Sequence, residues 1–159
     1  MAANNQVDNG DNAMPTENIT VVAAKGPKPG KKYFTLEEAN RALAYVRPVI
    51  EDLCACYEQV VELRRRIEQC TQDEPLEMLE ADYERAMDAL SQFVDELHHV
   101  GVEIKDFEKG LVDFPAVHSD REVSLCWHMG ETAIQAWHEV DAGFAGRQDV
   151  STLDSPRKK

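Results

Sequence analysis

Residues 121–140, REVSLCWHMGETAIQAWHEV, decide whether this chain carries a sheet beside its helices. From Arg121 the side chains alternate: Val123, Leu125, Trp127 and Met129 fall on one face, and Ser124, Cys126 and His128 on the other. Such a period of two is the mark of a strand packed on one side. Gly130 and Glu131 supply a turn, after which TAIQAWHEV either returns as an antiparallel strand or forms a helix, since its residues suit both. For a returning strand two registers are open. A two-residue turn sets Trp127 against Ile134, Leu125 against Ala136, Cys126 against Gln135 and Val123 against His138, with Cys126 and His138 on opposite faces. One extra residue in the turn pairs Ser124 with His138 and brings Cys126 diagonally close to it.

Upstream of this stretch the period is helical. Thr35 followed by Glu38 has the capping-box pattern, in which each side chain satisfies a backbone N–H at a helix start. Leu36, Ala39, Leu43, Val46, Ile50, Leu53, Tyr57, Val60, Arg64 and Ile67 then step by three and four. A third column, Ala42, Val49, Cys56, Leu63 and Cys70, widens the stripe beyond a two-stranded seam, so this helix over 35–70 needs more than one neighbour. Pro48 lies opposite the seam and predicts a kink without a change of phase. TQDEP at 71–75 makes a turn; Leu76, Leu79, Tyr83, Ala86, Leu90, Phe93, Leu97 and Val100 repeat the pattern over 75–100, and Gly101 ends it. The two helices run antiparallel. At roughly 1.5 Å per residue they span about 52 Å and about 37 Å, so the surplus of the first, residues 36–47, is free to pack on the segment beyond Gly101.

The segment beyond Gly101 reads as sheet. VEI and GLVDFPAV are strand candidates ahead of REVSLCWHM. The expected fold is therefore α+β: a long antiparallel helical hairpin, its first helix kinked at Pro48, followed by a small antiparallel β-sheet over 102–150 packed on the helices. Residues 1–32, rich in Asn, Asp, Gly and Pro, and the basic segment 151–159 are expected to be disordered tails.

Charge narrows the partners. The first 32 residues carry a net +1 and the last nine +2, so with −13 over 159 residues the middle holds −16. A body this acidic repels phosphate backbones, which argues against nucleic acid as its partner. No apolar run suits a signal peptide or a membrane span, and the expected location is the cytoplasm. Cys54, Cys56, Cys70 and Cys126 form no C-x-x-C pair and are expected to be free thiols, with Cys54 and Cys56 serving as packing residues.

The residues with chemistry to offer lie mostly in the C-terminal third. Asp113, between apolar neighbours in LVDFP, needs a partner, for which Arg121 and Arg147 are the expected choices. His138 and Glu139 point to opposite faces if they lie on a strand, and HEVDA lacks the second histidine of a zinc-protease helix. The glycines of AGFAGR at 142–147 are read as a tight turn beside Phe144, and His98 and His99 as the end of the second helix. If the sheet folds against the first helix, Asp106, Asp113, Cys126, Glu131, His138, Glu139 and Arg147 are the candidate site, with Asp141 beside them. Within this set Asp113, His138 and Glu139 are the candidate ligands for a hard or borderline divalent metal.

Several motifs in order, YFTLEEANRAL, GVEIKDFEKGLVDFP, REVSLCW, GE and WHEVDAGFAGR, resemble the bacterial family known as domain of unknown function 2203 over about residues 33–150. The resemblance implies a domain extent and brings no reaction, substrate or partner. Two functions are open to the residues themselves. One is a protein-interaction or self-association module built on the hairpin, and the other is a small metal-dependent or acid/base enzyme with its site in residues 103–147.

Overall fold

The computed structural model describes residues 26–153, and most of the expected tails at 1–32 and 151–159 lies outside them. Helix α1 spans Leu36–Glu68 and runs unbroken through Pro48, which is exposed. Its start is the expected capping box: Thr35 Oγ1 accepts from the Glu38 N–H at 3.0 Å, and Glu38 Oε1 accepts from the Thr35 N–H at 2.9 Å. Helix α2 spans Leu76–Val100 and ends on Gly101 at φ +97°, a left-handed cap conformation that costs glycine little. The two helices pack along their length as a hairpin.

Five antiparallel strands complete the domain as a meander in spatial order β1-β2-β3-β4-β5: Glu103–Asp106, Leu111–His118, Arg121–His128, Ala136–Glu139 and Gln148–Asp149. Residues 132–140, open between helix and strand in the sequence, thus contribute strand β4. The β1–β2 turn depends on Gly110. Its φ is +64°, and a Cβ there would sit 3.0 Å from Ile50 Cγ2 and from Met129 Cβ and 3.1 Å from Cys54 Sγ. Asp106 Oδ1 accepts from the Glu108 and Lys109 N–H groups at 2.9 Å each, which shapes the same turn. The β2–β3 hairpin closes on Ser119 and Asp120, both at positive φ, the handedness that matches strand twist in a two-residue turn.

The alternation places Val123, Leu125 and Trp127 against the helices, as expected, with Val112, Phe114 and Ala116 of β2 and Trp137 of β4 beside them. Their partners include Ala39, Leu43, Val46, Ile50 and Leu53, so the N-terminal overhang of α1 is seated on the sheet. A fully buried side chain of this size stabilises by about 1.5–3 kcal/mol. Met129, placed by the sequence on the same face, lies beyond the strand and is partly exposed. A second, smaller cluster holds the far end of the hairpin: Val60 and Leu63 of α1 against Leu79 and Ala86 of α2. Cys56 belongs to this helix interface, its thiol donating to the Ala86 carbonyl at 3.2 Å.

One expectation needs correction, and one open alternative is resolved. The sheet was expected to be packed on one side, but Leu111, Asp113, Cys126, Ala136 and His138, on the face away from the helices, are also buried. Nor is the β3–β4 connection a two-residue turn. It runs over residues 129–135, and the strands pair Cys126 with Ala136, Leu125 with Trp137 and Ser124 with His138. This is the register with the extra residue. The reason is tertiary: the Ile134 N–H donates to Asn40 Oδ1 at 2.8 Å, and Arg47 donates to the Thr132 carbonyl at 3.0 Å, so α1 holds the loop open.

Candidate functional site

On the outer face of the sheet three adjacent strands each place one reactive side chain at the same level. Asp113 of β2 lies directly opposite Cys126 of β3, and His138 of β4, paired with Ser124, lies diagonal to Cys126. One donor atom from each, a carboxylate oxygen, the thiol sulfur and an imidazole nitrogen, falls within 4.8 Å of the other two. The residues are 3%, 0% and 4% exposed, so the cluster is sealed from solvent.

The geometry fixes the imidazole. His138 Nδ1 faces the Glu139 carbonyl at 2.7 Å, where only a protonated nitrogen forms a bond. Nε2 is therefore the atom that points into the cluster, 3.2 Å from Asp113 Oδ1. The hydrogen bond to Asp113 holds the imidazolium, helped by Cys126, and together they outweigh the cost of burial, pushing the His138 pKa up to about 10. With a proton on each nitrogen, Asp113 and His138 form a buried ion pair. The expected arginine partners of Asp113 are engaged elsewhere: Arg121 holds Glu139, with Nε 2.8 Å from Oε1, and Arg147 holds Glu131 at 2.9 Å.

The remaining candidates divide by distance. Glu131 and Arg147 sit at the rim. Glu131 accepts from the His128 N–H at 2.9 Å, and Arg147 reaches the Cys126 carbonyl at 3.4 Å. Phe144, in the 3-10 turn Phe144–Gly146, lies 6.3 Å from the His128 ring with the Arg147 guanidinium 5.1 Å from its own ring centre. The chain after β4 thus turns back at AGFAGR beside this face, the tight turn the glycines implied. Glu139 points to the helix side of the sheet, as the alternation required, and Asp106 serves the β1–β2 turn. Neither joins the cluster, and Asp141 is exposed.

Cys54 and Cys56 lie on α1, outside this cluster. Burial pushes the pKa of Cys54 up, with Glu58 and Asp106 adding to it, and burial alone does so for Cys56, so neither is poised as a nucleophile. One cluster had no signal in the sequence. Lys31 Nζ and the Tyr33 hydroxyl both reach the Glu122 carboxylate, at 2.6 and 2.9 Å, and the Phe34 N–H donates to the Pro115 carbonyl at 2.7 Å. Residues 31–34 therefore lie along β2 where β1 has ended.

A helical hairpin capped at one end by a five-stranded antiparallel meander, with a carboxylate, a thiol and an imidazole buried on the sheet's outer face, defines an α+β domain. The chain belongs to the family described as "Uncharacterized conserved protein (DUF2203)", whose model matches residues 32–150. No curated protein and no solved structure is significantly similar to it. Among the described residues no helix is long and apolar enough to cross a membrane.

Proposed function

We propose that the domain acts by association, pairing with a second copy of itself through the bare side of its hairpin. The observation that carries this reading is an apolar stripe that continues past the edge of the sheet. Tyr57 of α1 stacks on Phe107 of the β1–β2 turn at 5.4 Å. One turn further along, Val61 occupies the same stripe and is 49% exposed. On α2, Val94 packs against the main core, while Met87 and Leu76, seven and eighteen residues before it on the same stripe, are 39% and 41% exposed. Arg64 and Tyr83 join the two stripes by a 3.1 Å hydrogen bond. Beside them runs a groove of about 370 Å³ lined by Arg64, Ile67, Glu68, Glu80, Tyr83 and Glu84.

The stripe is apolar and the groove beside it offers Arg64 as well as carboxylates, so a second copy can be its occupant. In an isologous pair each molecule offers the same face, so Arg64 of one meets the carboxylates at 68, 80 and 84 of the other. Sedimentation equilibrium of the full chain tests this. A dimer at micromolar concentration is expected, reduced to monomer by Val61→Glu with Met87→Glu at unchanged far-ultraviolet circular dichroism. A wild-type chain that stays monomeric at high micromolar concentration overturns the reading.

The convergence of Asp113, Cys126 and His138 favours a second reading, acid/base or metal-assisted catalysis at that cluster. Its burial counts against turnover, because a substrate has no path to the three side chains unless the outer face opens. Protection of the amides around Cys126 from hydrogen exchange, measured on the native protein, separates the two: slow exchange there is incompatible with a site that must open for each turnover.

A further inference from the structure

We propose that Asp113, Cys126 and His138 form a binding centre for a borderline divalent cation of the zinc class. The cluster lies on the sheet and the bare stripe on the hairpin, so this centre is independent of self-association.

Three features of the donor set point to a metal. The first is convergence. Only one register of β3 against β4 brings the imidazole to the thiol, and the sheet holds that register. The 3.2 Å between His138 Nε2 and Asp113 Oδ1 is close to the edge of about 3.3 Å that an oxygen and a nitrogen ligand share on a tetrahedral zinc ion. The full spread of 4.8 Å asks the thiol to move inward by about 1 Å. The second feature is orientation. The Glu139 carbonyl, 2.7 Å from Nδ1, fixes the ring as an outer hydrogen-bond partner fixes a metal-bound histidine, with Nε2 aimed at the ion. The third is charge. As thiolate, carboxylate and neutral imidazole the three ligands carry −2 and neutralise a divalent cation inside a buried site, where a net charge is costly.

The identity of the ligands selects the ion. A thiolate and an imidazole disfavour Mg²⁺ and Ca²⁺, which take oxygen ligands in greater number, and suit Zn²⁺ or Co²⁺ in tetrahedral geometry. Binding balances in protons and charge: the incoming M²⁺ displaces the proton on Nε2 and the proton on the Cys126 sulfur, two protons leave to solvent, and three protein bonds form. The fourth tetrahedral position falls to a water. Without metal the same residues satisfy one another as the Asp113–His138 ion pair beside a thiol, so the domain does not depend on the ion to fold.

The experiment uses the full chain freed of metal by a chelator and titrated with Co²⁺. Expected are the thiolate-to-cobalt charge-transfer band in the ultraviolet and the strong visible bands of tetrahedral coordination at one ion per chain, with Zn²⁺ displacing Co²⁺ and Mg²⁺ leaving the spectrum unchanged. Cys126→Ser, nearly isosteric, removes the charge-transfer band. Asp113→Asn weakens Zn²⁺ binding more than about 100-fold, beyond the loss seen for outer-sphere partners. Circular dichroism of each variant verifies its fold, and Cys54→Ala with Cys70→Ala serves as a variant that keeps the band. The proposal is overturned if Co²⁺ gives no tetrahedral spectrum with folded wild-type protein, or if the band survives Cys126→Ser.

Discussion

At its centre the sheet is buried on both faces, and the two are held by different physics. On the helix side, Val112, Phe114, Val123, Leu125, Trp127 and Trp137 are at most 4% exposed and interlock with α1. On the outer side, Asp113, Cys126 and His138 are just as closed, yet their contacts are polar and directional. The apolar face stabilises in proportion to the area it removes from water and tolerates repacking. The polar face stabilises only while every partner is present, because a charge left alone in a closed site is costly. A fold with both kinds of face derives its stability from one and its chemistry from the other.

The largest effect should come from the apolar face. Trp127→Ala removes the largest fully buried side chain, together with its Nε1 donation to the Glu131 carbonyl at 2.9 Å, and should cost about 3–5 kcal/mol by urea denaturation. His128→Ala, one residue away on the outer face and partly exposed, should cost under about 1 kcal/mol. Equal losses would dissolve the contrast between the faces.

The next effect tests the polar face. Asp113→Asn keeps the shape and removes the charge that faces His138, and should cost about 2–3 kcal/mol near neutral pH. Asp113→Asn combined with His138→Gln should cost less than the sum of the two single changes, since the pair acts as a unit. Strict additivity in a thermodynamic cycle would show that the 3.2 Å contact contributes nothing.

A pH series distinguishes the faces again, with a smaller change. His138 titrates near 6.5 when unfolded and at about 10 when folded, so the ion pair's contribution is complete below about pH 6.5 and is lost as pH rises through about 10. In metal-free protein the stability gap between wild type and His138→Gln should therefore shrink steadily from pH 6.5 to 10. For Trp127→Ala the gap to wild type should stay constant over the same range. Denaturation midpoints at three pH values suffice, and a His138 gap that widens with pH would reverse the assignment of the proton.

The smallest effect is expected at Pro48. It is exposed and α1 passes through it, so Pro48→Ala should be tolerated or raise stability slightly. Unfolding of that variant would mean that the proline seats residues 36–47 on the sheet.

Much of this fold was legible in the sequence, and the reason is locality. The capping box at Thr35 and Glu38, the three-four step of both helices and the glycine stop at 101 depend on neighbours within about four residues, so the sequence alone determined the hairpin. The alternation through Val123, Leu125 and Trp127 likewise determined which face of β3 meets the helices. Register is not local. Asn40 and Arg47, more than eighty residues upstream, grip the loop 129–135, and that grip selects between two pairings that differ by one residue. Only the tertiary structure decided that Cys126 and His138 share a face. It also decided that Asp113 pairs with that histidine, because Glu131 and Glu139 already hold the arginines. A single-residue slip exchanges inside for outside along a whole strand, so the chemistry of this domain was fixed by contacts that no sequence window contains.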